Sequence, residues 1–220
     1  SVNAETSDWH STLQEKIRFE LPQSMFMQQF LKIIAAPLFR LYFSLKGTGQ
    51  DRLPPSPFIL APDHQSFLDG LFLSILLPDK VLKNTYFLAA GKHVKTPLTR
   101  FYARHSNMLV MDINRDLKKT LQQAAAAIRE GKNLAIFPEG ARSRDGNLLE
   151  FKKTFAILSR ELQVPVVPVA VSGAYAAFPI GRKIPKAGKI SLKFLPPIYP
   201  GEMDYQQIAD KTREAIAGNL

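Results

Sequence analysis

The sequence predicts an α/β fold in which a mainly parallel central sheet is flanked by helices. From residue 58 onward, short apolar runs alternate with longer segments of helical periodicity. The most regular helical segment, 117–130, is rich in alanine and is followed by Gly131, which can cap its last turn. Strands separated by helices usually pair in parallel, so this alternation indicates a parallel sheet.

Each element can be placed because glycine, proline, aspartate or asparagine bounds the apolar runs. The strands are predicted at 58–61, 85–90, 108–112, 133–137, 166–171 and 190–195. The helices are predicted at 67–77, 97–103, 117–130, 153–162 and 205–217. No linker signal interrupts 58–200, so we expect residues 21–220 to form one domain with its α/β core at 55–220.

The N-terminal residues differ from this core. Residues 1–20 are polar without periodicity, which predicts a polar arm or linker. Residues 24–45 form the most apolar region and predict an amphipathic helix region, which Pro37 should kink or divide into a helix pair. The polar members of this region lie along one helical stripe: Gln28, Lys32, Arg40 and Ser44.

Two interpretations of this apolar region stay open. The helix pair could pack on the core, or it could lie in a lipid interface with its cations toward the headgroups. A membrane span is disfavoured, because a span needs roughly 20 residues almost free of charge.

Composition narrows the classes of function. The chain of 220 residues carries 29 basic and 19 acidic residues, a net charge of +10, which favours an anionic partner such as nucleic acid, a lipid surface or a phosphorylated small molecule. Solvated surface charge is the alternative. Cysteine is absent, which excludes disulfides, thiolate zinc sites and cysteine nucleophiles. No His-Glu-x-x-His spacing occurs, so we expect no catalytic metal.

Polar side chains follow three of the predicted strands, within 63–70, 112–115 and 137–146. The carboxyl ends of parallel strands meet at one edge of a sheet, where open α/β folds bind their ligands. We therefore expect these three segments to share a site.

Within the first segment, His64 and Asp69 can form a hydrogen-bonded pair. The carboxylate would fix the imidazole tautomer and leave the other ring nitrogen free as a base. Alternatively, Asp69 serves only as a helix-start residue.

Within the third segment, Glu139 precedes Arg142 and Arg144 on a turn that glycine permits. Guanidinium groups match phosphate oxygens in a bidentate way. Alternatively, these residues and Asp145 form ion pairs among themselves on a surface turn.

Taken together, the two patterns resemble the glycerolipid acyltransferase family, which includes the 1-acylglycerol-3-phosphate and glycerol-3-phosphate O-acyltransferases. The resemblance rests on the His-x-x-x-x-Asp box formed by His64 and Asp69. It rests equally on a Phe-Pro-Glu-Gly box, whose members are Phe137, Pro138, Glu139 and Gly140. The segment 164–173 is similar to a further block of the family, so the resemblance covers about 58–200.

The resemblance implies transfer of a fatty acyl group from acyl-CoA or acyl carrier protein to a hydroxyl of a glycerol phosphate or lysophospholipid. It implies that His64 is the general base and Asp69 its orienting partner. The Phe-Pro-Glu-Gly box would shape the acceptor site, and Arg142 would contact the acceptor phosphate. Without cysteine or a Gly-x-Ser-x-Gly elbow, direct attack by the acceptor is favoured over a covalent intermediate. No cofactor is expected besides the thioester co-substrate.

The chain departs from the family pattern in places. Asp63 stands where the family usually has asparagine, and it is expected to add negative charge beside His64. Arg115 follows Asp112 by three residues instead of one, so Arg115 as a phosphate ligand is a hypothesis. Both departures concern the identity of the acceptor.

Together with the resemblance, the sequence predicts a peripheral membrane enzyme on the cytoplasmic side. The partners that the resemblance implies are a membrane surface, a thioester donor and a glycerol phosphate or lysophospholipid acceptor. One alternative is a non-catalytic basic module for membranes or nucleic acid. Another is a member of the same family that acylates a different acceptor, such as dihydroxyacetone phosphate or another lysophospholipid. Nucleic acid is not expected, because no RNA-recognition aromatic box or zinc-finger spacing occurs.

Overall fold

The chain folds as a three-layer α/β structure, described here from a computed structural model. The structure describes residues 8–15, 21, 26–90, 96–111 and 117–220. The helices are α1 Trp9–Gln14, α2 Phe26–Tyr42, α3 Asp69–Leu76, α4 Asp79–Lys83, α5 Pro97–Arg104, α6 Leu117–Arg129, α7 Thr154–Leu162, α8 Ala174–Ala177 and α9 Tyr205–Ala217. The strands are β1 Lys46–Thr48, β2 Ile59–Pro62, β3 Thr85–Ala90, β4 Met108–Met111, β5 Asn133–Ala135, β6 Val166–Ser172 and β7 Ser191–Phe194.

In this described part of the chain, the strands form one sheet with the order β1-β7-β6-β2-β5-β3-β4. Every neighbouring pair is parallel except β6 and β7, which are antiparallel. The predicted mainly parallel sheet is confirmed. Strand β2 lies between β5 and β6, so the loops after these three strands meet at one edge of the sheet.

Two apolar layers cover the two faces of the sheet. Ile59 and Ala61 of β2 contribute to the layer packed under α1, α6, α7 and α9. Phe58 and Leu60 contribute to the opposite layer, packed under α2, α3, α4 and α8. Successive side chains of a strand point to opposite faces, so a strand buried on both sides is apolar throughout.

The six predicted strands and five predicted helices are all present, with ends that differ by one or two residues at most positions. Besides α1, the short elements β1, α4 and α8 were not predicted. Strand β1 is an edge strand of sequence Lys-Gly-Thr that pairs only with β7, and it carries no apolar signal.

Helix α1 lies within the segment predicted as a polar arm, and for this helix the prediction is wrong. Trp9 and Leu13, one turn apart, are buried in the core against α6 and α7. Asp8 caps the helix by accepting a hydrogen bond from the Ser11 amide, and Arg129 donates to the Leu13 carbonyl. The rest of the predicted arm, 1–7 and 16–20, lies outside the described residues.

Helix α2 is continuous across Pro37, so the predicted helix pair is not confirmed. The first two members of its polar stripe, Gln28 and Lys32, face the protein, whereas Arg40 is exposed. Gln28 is buried and donates to Ser74 at 3.3 Å, while Lys32 donates to the Leu77 carbonyl and to Asp79, both at 2.6 Å. None of the described helices combines the length and apolar character needed to cross a membrane.

Candidate active site

The site is built around the loop that joins β2 to α3. His64 lies in this loop, two residues after β2 ends, and Asp69 is the first residue of α3. The imidazole Nδ1 lies 2.9 Å from Asp69 Oδ2. The Asp69 side chain is fully buried, whereas the His64 side chain is 20% exposed. The predicted pair is thus formed, with the imidazole on the solvent side.

Asp69 is held by the loop that it closes. Its Oδ2 accepts the backbone N–H groups of Gln65 and Ser66, each at 2.7 Å, in addition to the His64 ring. Burial raises the pKa of Asp69, and the hydrogen bonds from His64 and the two amides oppose that rise. The buried carboxylate is thereby held in place beside the imidazole by three hydrogen bonds.

The alternative role of Asp69, as a helix-start residue only, does not account for these contacts. The residue at the N-cap of α3 is Leu68, and it makes no side-chain capping bond. The Asp69 carboxylate points back toward the loop, where it orders the His64 segment.

Glu139 connects the two motifs. Its Oε1 accepts the backbone N–H of His64 at 2.7 Å, and its Oε2 accepts the N–H of Leu149 at 2.9 Å. The Ser143 amide donates to the His64 carbonyl at 2.8 Å. The peptide groups on both sides of His64 are therefore fixed by the segment that follows β5.

Burial raises the pKa of Glu139, and the two amide hydrogen bonds act in the opposite direction. Because both carboxylate oxygens are occupied by backbone donors, Glu139 has the geometry of a positioning residue. Its predicted contribution to the acceptor site stays a prediction.

The remaining members of the Phe-Pro-Glu-Gly box shape the wall beside the imidazole. The Phe137 ring lies 4.2 Å from the His64 ring, centre to centre. Pro138 is buried, and its carbonyl accepts the Lys152 amide at 2.8 Å. Gly140 has a φ of +65°, which favours glycine, and a β-carbon there would lie 2.9 Å from the Lys152 ammonium. Both the backbone conformation and the lack of space for a side chain therefore favour glycine at this turn.

Arg142 lies on the same segment, directly before Ser143. Its guanidinium carbon is 5.9 Å from the centre of the Phe67 ring, which is 63% exposed and lies two residues before α3 begins. Phe67 was not predicted as a site residue, because an isolated phenylalanine carries no signal of exposure.

The alternative interpretation of this turn, a set of internal ion pairs, is not found among the described residues. Glu139 accepts backbone amides, and Asp145 accepts hydrogen bonds from Ser143 and Asn147. The guanidinium of Arg142 is left available to an anion at the edge of the site.

Asp63 forms a second buried network behind His64. Its Oδ1 accepts the Val171 amide at 2.6 Å, and its Oδ2 accepts the Gln65 side-chain amide at 3.0 Å. Gln65 in turn accepts the backbone N–H of Tyr175 at 3.2 Å. The network joins the β2–α3 loop to the end of β6. The sequence did not predict that a buried glutamine, Gln65, would take part in it.

Burial raises the pKa of Asp63 to about 8, and the neighbouring carboxylates of Asp69 and Glu139 contribute to the rise. Asp63 is therefore mostly uncharged at neutral pH. The expected extra negative charge beside His64 is therefore reduced, because desolvation outweighs the two hydrogen bonds to the carboxylate.

Arg115 and the segment 112–114 before it lie outside the described residues, so the hypothesis of an Arg115 phosphate contact stays a prediction. Within the described ranges, no group of three or more histidine, aspartate or glutamate side chains is arranged to hold a metal ion. The expected absence of a metal stays a prediction as well.

Comparison with known proteins finds a family model that spans both sequence motifs of this site. The family model described as Acyltransferase matches residues 44–172, which is more than half of the chain and includes both motifs. The 1-acyl-sn-glycerol-3-phosphate acyltransferase of Chlamydomonas reinhardtii is 28% identical over 188 residues, covering 81% of this chain and 54% of that protein. The human 1-acyl-sn-glycerol-3-phosphate acyltransferase beta is 28% identical over 165 residues, covering 71% of this chain and 57% of that protein.

A solved structure supports the same assignment. The crystal structure of the 1-acyl-sn-glycerophosphate acyltransferase PlsC from Thermotoga maritima matches with a TM-score of 0.71 at 26% identity, covering 86% of this chain and 75% of that one. The chain spans only about half the length of the curated relatives described above. The family match, the paired His64 and Asp69 and the shared fold together show that the chain belongs to the Acyltransferase family.

Proposed function

We propose that this protein transfers a fatty acyl group from a thioester, acyl-CoA or acyl carrier protein, to the free hydroxyl of 1-acylglycerol-3-phosphate. The observation that carries the proposal is the imidazole of His64, hydrogen-bonded to a buried carboxylate through Nδ1 and partly exposed at the carboxyl edge of the sheet. The names of the relatives indicate the acceptor.

His64 would act as the general base. Because Nδ1–H donates to Asp69, the lone pair of Nε2 is free, and Nε2 makes no hydrogen bond to a described residue. Nε2 takes the proton of the acceptor hydroxyl while the hydroxyl oxygen attacks the thioester carbonyl carbon. Collapse of the tetrahedral intermediate breaks the carbon–sulfur bond, and the imidazolium returns its proton to the thiolate. The products are an ester and a free thiol.

A covalent acyl-enzyme is disfavoured by the groups that the chain offers. The chain contains no cysteine. Ser66, the hydroxyl nearest to His64 in sequence, is fully buried, and its Oγ accepts the Leu68 amide at 3.0 Å. Direct attack by the acceptor therefore needs no nucleophile beyond the substrate itself.

The acceptor phosphate would bind Arg142. Its guanidinium makes no ion pair within the described part of the chain and lies one residue from Ser143, which is hydrogen-bonded to His64. A guanidinium can bind two phosphate oxygens at once, which orients the glycerol backbone as well as holding it.

The proposal includes association with a membrane surface, because both substrates carry acyl chains. Helix α2 turns the first half of its polar stripe toward the protein and exposes an apolar face, whose most exposed members are Phe26 (69%), Ile33 (75%), Leu38 (62%) and Leu41 (84%). Exposed apolar area of this extent, on one helix, is typical of a lipid interface. The cytoplasmic side stays a prediction.

A thiol-release assay with acyl-CoA and 1-acylglycerol-3-phosphate tests the proposal. We expect His64→Ala to lower turnover by about 10²–10⁴-fold, the usual contribution of a placed base. His10→Ala is the matched control, because His10 also pairs with a carboxylate, Glu161 at 2.9 Å, but lies on α1 away from the sheet edge. Turnover that is indifferent to His64→Ala would contradict the mechanism.

The same assay separates the possible acceptors. Dihydroxyacetone phosphate and lysophospholipids with larger headgroups are offered in parallel, and the products are identified by mass spectrometry. Faster turnover of one of these compounds would identify that compound, instead of 1-acylglycerol-3-phosphate, as the acceptor. A protein mass increased by one acyl group would contradict direct attack.

A further inference from the structure

The loop between α8 and β7, residues 178–189, is a basic surface that the proposed reaction does not use. Its exposed cations are Arg182, Lys183, Lys186 and Lys189. No acidic residue occurs anywhere between Glu161 and Glu202. Two exposed apolar side chains, Ile180 (44%) and Ile184 (77%), lie among these cations. We refer to residues 178–189 as the basic loop.

The basic loop lies against the C-terminal end of α2. The Tyr42 hydroxyl, on the last residue of α2, donates to the Pro185 carbonyl at 3.0 Å. At the end of the loop, Ile190 donates to the Phe43 carbonyl at 2.9 Å and its own carbonyl accepts the Lys46 amide at 3.0 Å. Ile184 directly precedes Pro185, so it lies one residue from the contact between Tyr42 and Pro185, and the exposed Leu41 lies one residue from Tyr42 on the other side of that contact.

This arrangement supplies the charge that α2 lacks. Helices that lie in a lipid interface usually carry Lys or Arg on their polar face. In α2 the first half of that face is turned inward, where Lys32 is bonded to Leu77 and Asp79, and Arg40 is its one exposed cation among the described residues. The cations that would meet headgroups come from the neighbouring loop instead.

We propose that the basic loop is a second membrane contact, which binds anionic lipid headgroups while Ile184 enters the interface beside α2. The proposal rests on the membrane association included in the proposed function. Coenzyme A and acyl carrier protein are also anionic, but neither accounts for exposed isoleucines between the cations and next to an apolar helix face.

The experiment measures binding of the full chain to phosphatidylcholine vesicles and to matched vesicles that contain phosphatidylglycerol. We expect the wild type to bind the anionic vesicles more tightly. Lys183→Gln/Lys186→Gln should lower the partition coefficient on anionic vesicles by about 25-fold, since each cation near an anionic surface contributes about fivefold. On phosphatidylcholine alone the same variant should bind as the wild type does.

Two matched variants control for charge and for side-chain identity. Lys118→Gln/Lys211→Gln removes the same charge from α6 and α9, on the opposite layer, and should change binding by less than about twofold. Lys183→Arg/Lys186→Arg keeps the charge and should retain binding. Equal losses from the loop variant and the control from the opposite layer would overturn the proposal.

The outcomes distinguish this proposal from the one on which it rests. Wild-type protein that binds neither kind of vesicle contradicts membrane association itself. Preferential binding to anionic vesicles that survives the loop variant overturns the loop proposal alone. In vesicle-free assays with short-chain substrates, a raised KM for acyl-CoA in the loop variant would assign the loop to the donor and overturn the lipid contact.

Discussion

The buried carboxyl of Asp63 should make folding stability depend on pH in a way that one substitution removes. Asp63 is 1% exposed, and both of its oxygens accept hydrogen bonds, from Val171 and Gln65. Asp63→Asn has the same shape and can still accept the Val171 amide. The asparagine side chain cannot ionise. The difference in the pH dependence of stability between the two proteins therefore reports the ionisation of Asp63.

The magnitude follows from the pKa of Asp63, which burial raises from 3.8 to about 8 in the folded state. Between these values the folded protein holds a proton that the unfolded chain has released. Stability is therefore greatest below the unfolded pKa and is lost as the pH rises through the folded pKa, by about 1.4 kcal/mol per pH unit. Across two units, pH 5 to 7, the wild type should lose about 2.7 kcal/mol relative to Asp63→Asn.

Urea denaturation at pH 5, 6 and 7 measures this difference, with all free energies extrapolated to water. The variant can be less stable than the wild type at pH 5, because asparagine cannot also accept the Gln65 side-chain amide through its nitrogen. As the pH rises from 5 to 7, the free energy of unfolding of the variant should nevertheless increase steadily relative to that of the wild type. A constant difference over this range would refute the argument and show that Asp63 is ionised in the folded protein. Asp210→Asn, at an exposed carboxylate on α9, is the control and should show no such trend.

Three further predictions concern the site and the core. Arg142→Ala should raise the KM of the acceptor about 10- to 100-fold with a smaller change in kcat, since a charged hydrogen bond contributes about 1.5–3 kcal/mol; an unchanged KM would exclude the phosphate contact. Glu139→Gln should lower kcat about tenfold or more with an unchanged acceptor KM, because it leaves a backbone donor unpaired beside His64; a raised KM alone would instead support acceptor binding. Trp9→Ala should cost about 3–5 kcal/mol in urea denaturation, as expected for a buried aromatic, whereas a loss below about 1 kcal/mol would contradict the docking of α1.

The sequence predicts the central part of this fold well because its strands are buried on both faces. In β2 and β6 almost every residue is apolar, and each run is bounded by proline or by polar residues. Periodicity is a weaker signal where an element is short or lies at the edge. Strand β1 contains no apolar residue, and α8 has only four residues, so neither is distinguishable from a loop.

The burial of α1 and the orientation of α2 depend on tertiary contacts, which the periodicity of the sequence does not reveal. In α1 only Trp9 and Leu13 carry the buried face, and two apolar residues in a polar segment do not predict a core helix. In α2 the polar stripe is visible in the sequence, but its direction is not. Its first half points inward, where Ser74 is a partner for Gln28 and Asp79 a partner for Lys32. Its second half, with Arg40, stays exposed.

The sheet register explains why the two motifs meet. Leu60 of β2 and Ala135 of β5 are register partners in adjacent parallel strands. His64 and Glu139 each follow their partner by four residues, so parallel chains that leave the sheet together bring them side by side. The 2.7 Å hydrogen bond between the His64 amide and Glu139 is thus a consequence of strand order, across 75 positions in sequence. Motif spacing alone cannot give this contact, because the same spacing on non-adjacent strands would place the two residues far apart. Because β2 and β5 are adjacent, the His64 and Glu139 motifs form a single site. Any acyltransferase chemistry at His64 depends on this strand order.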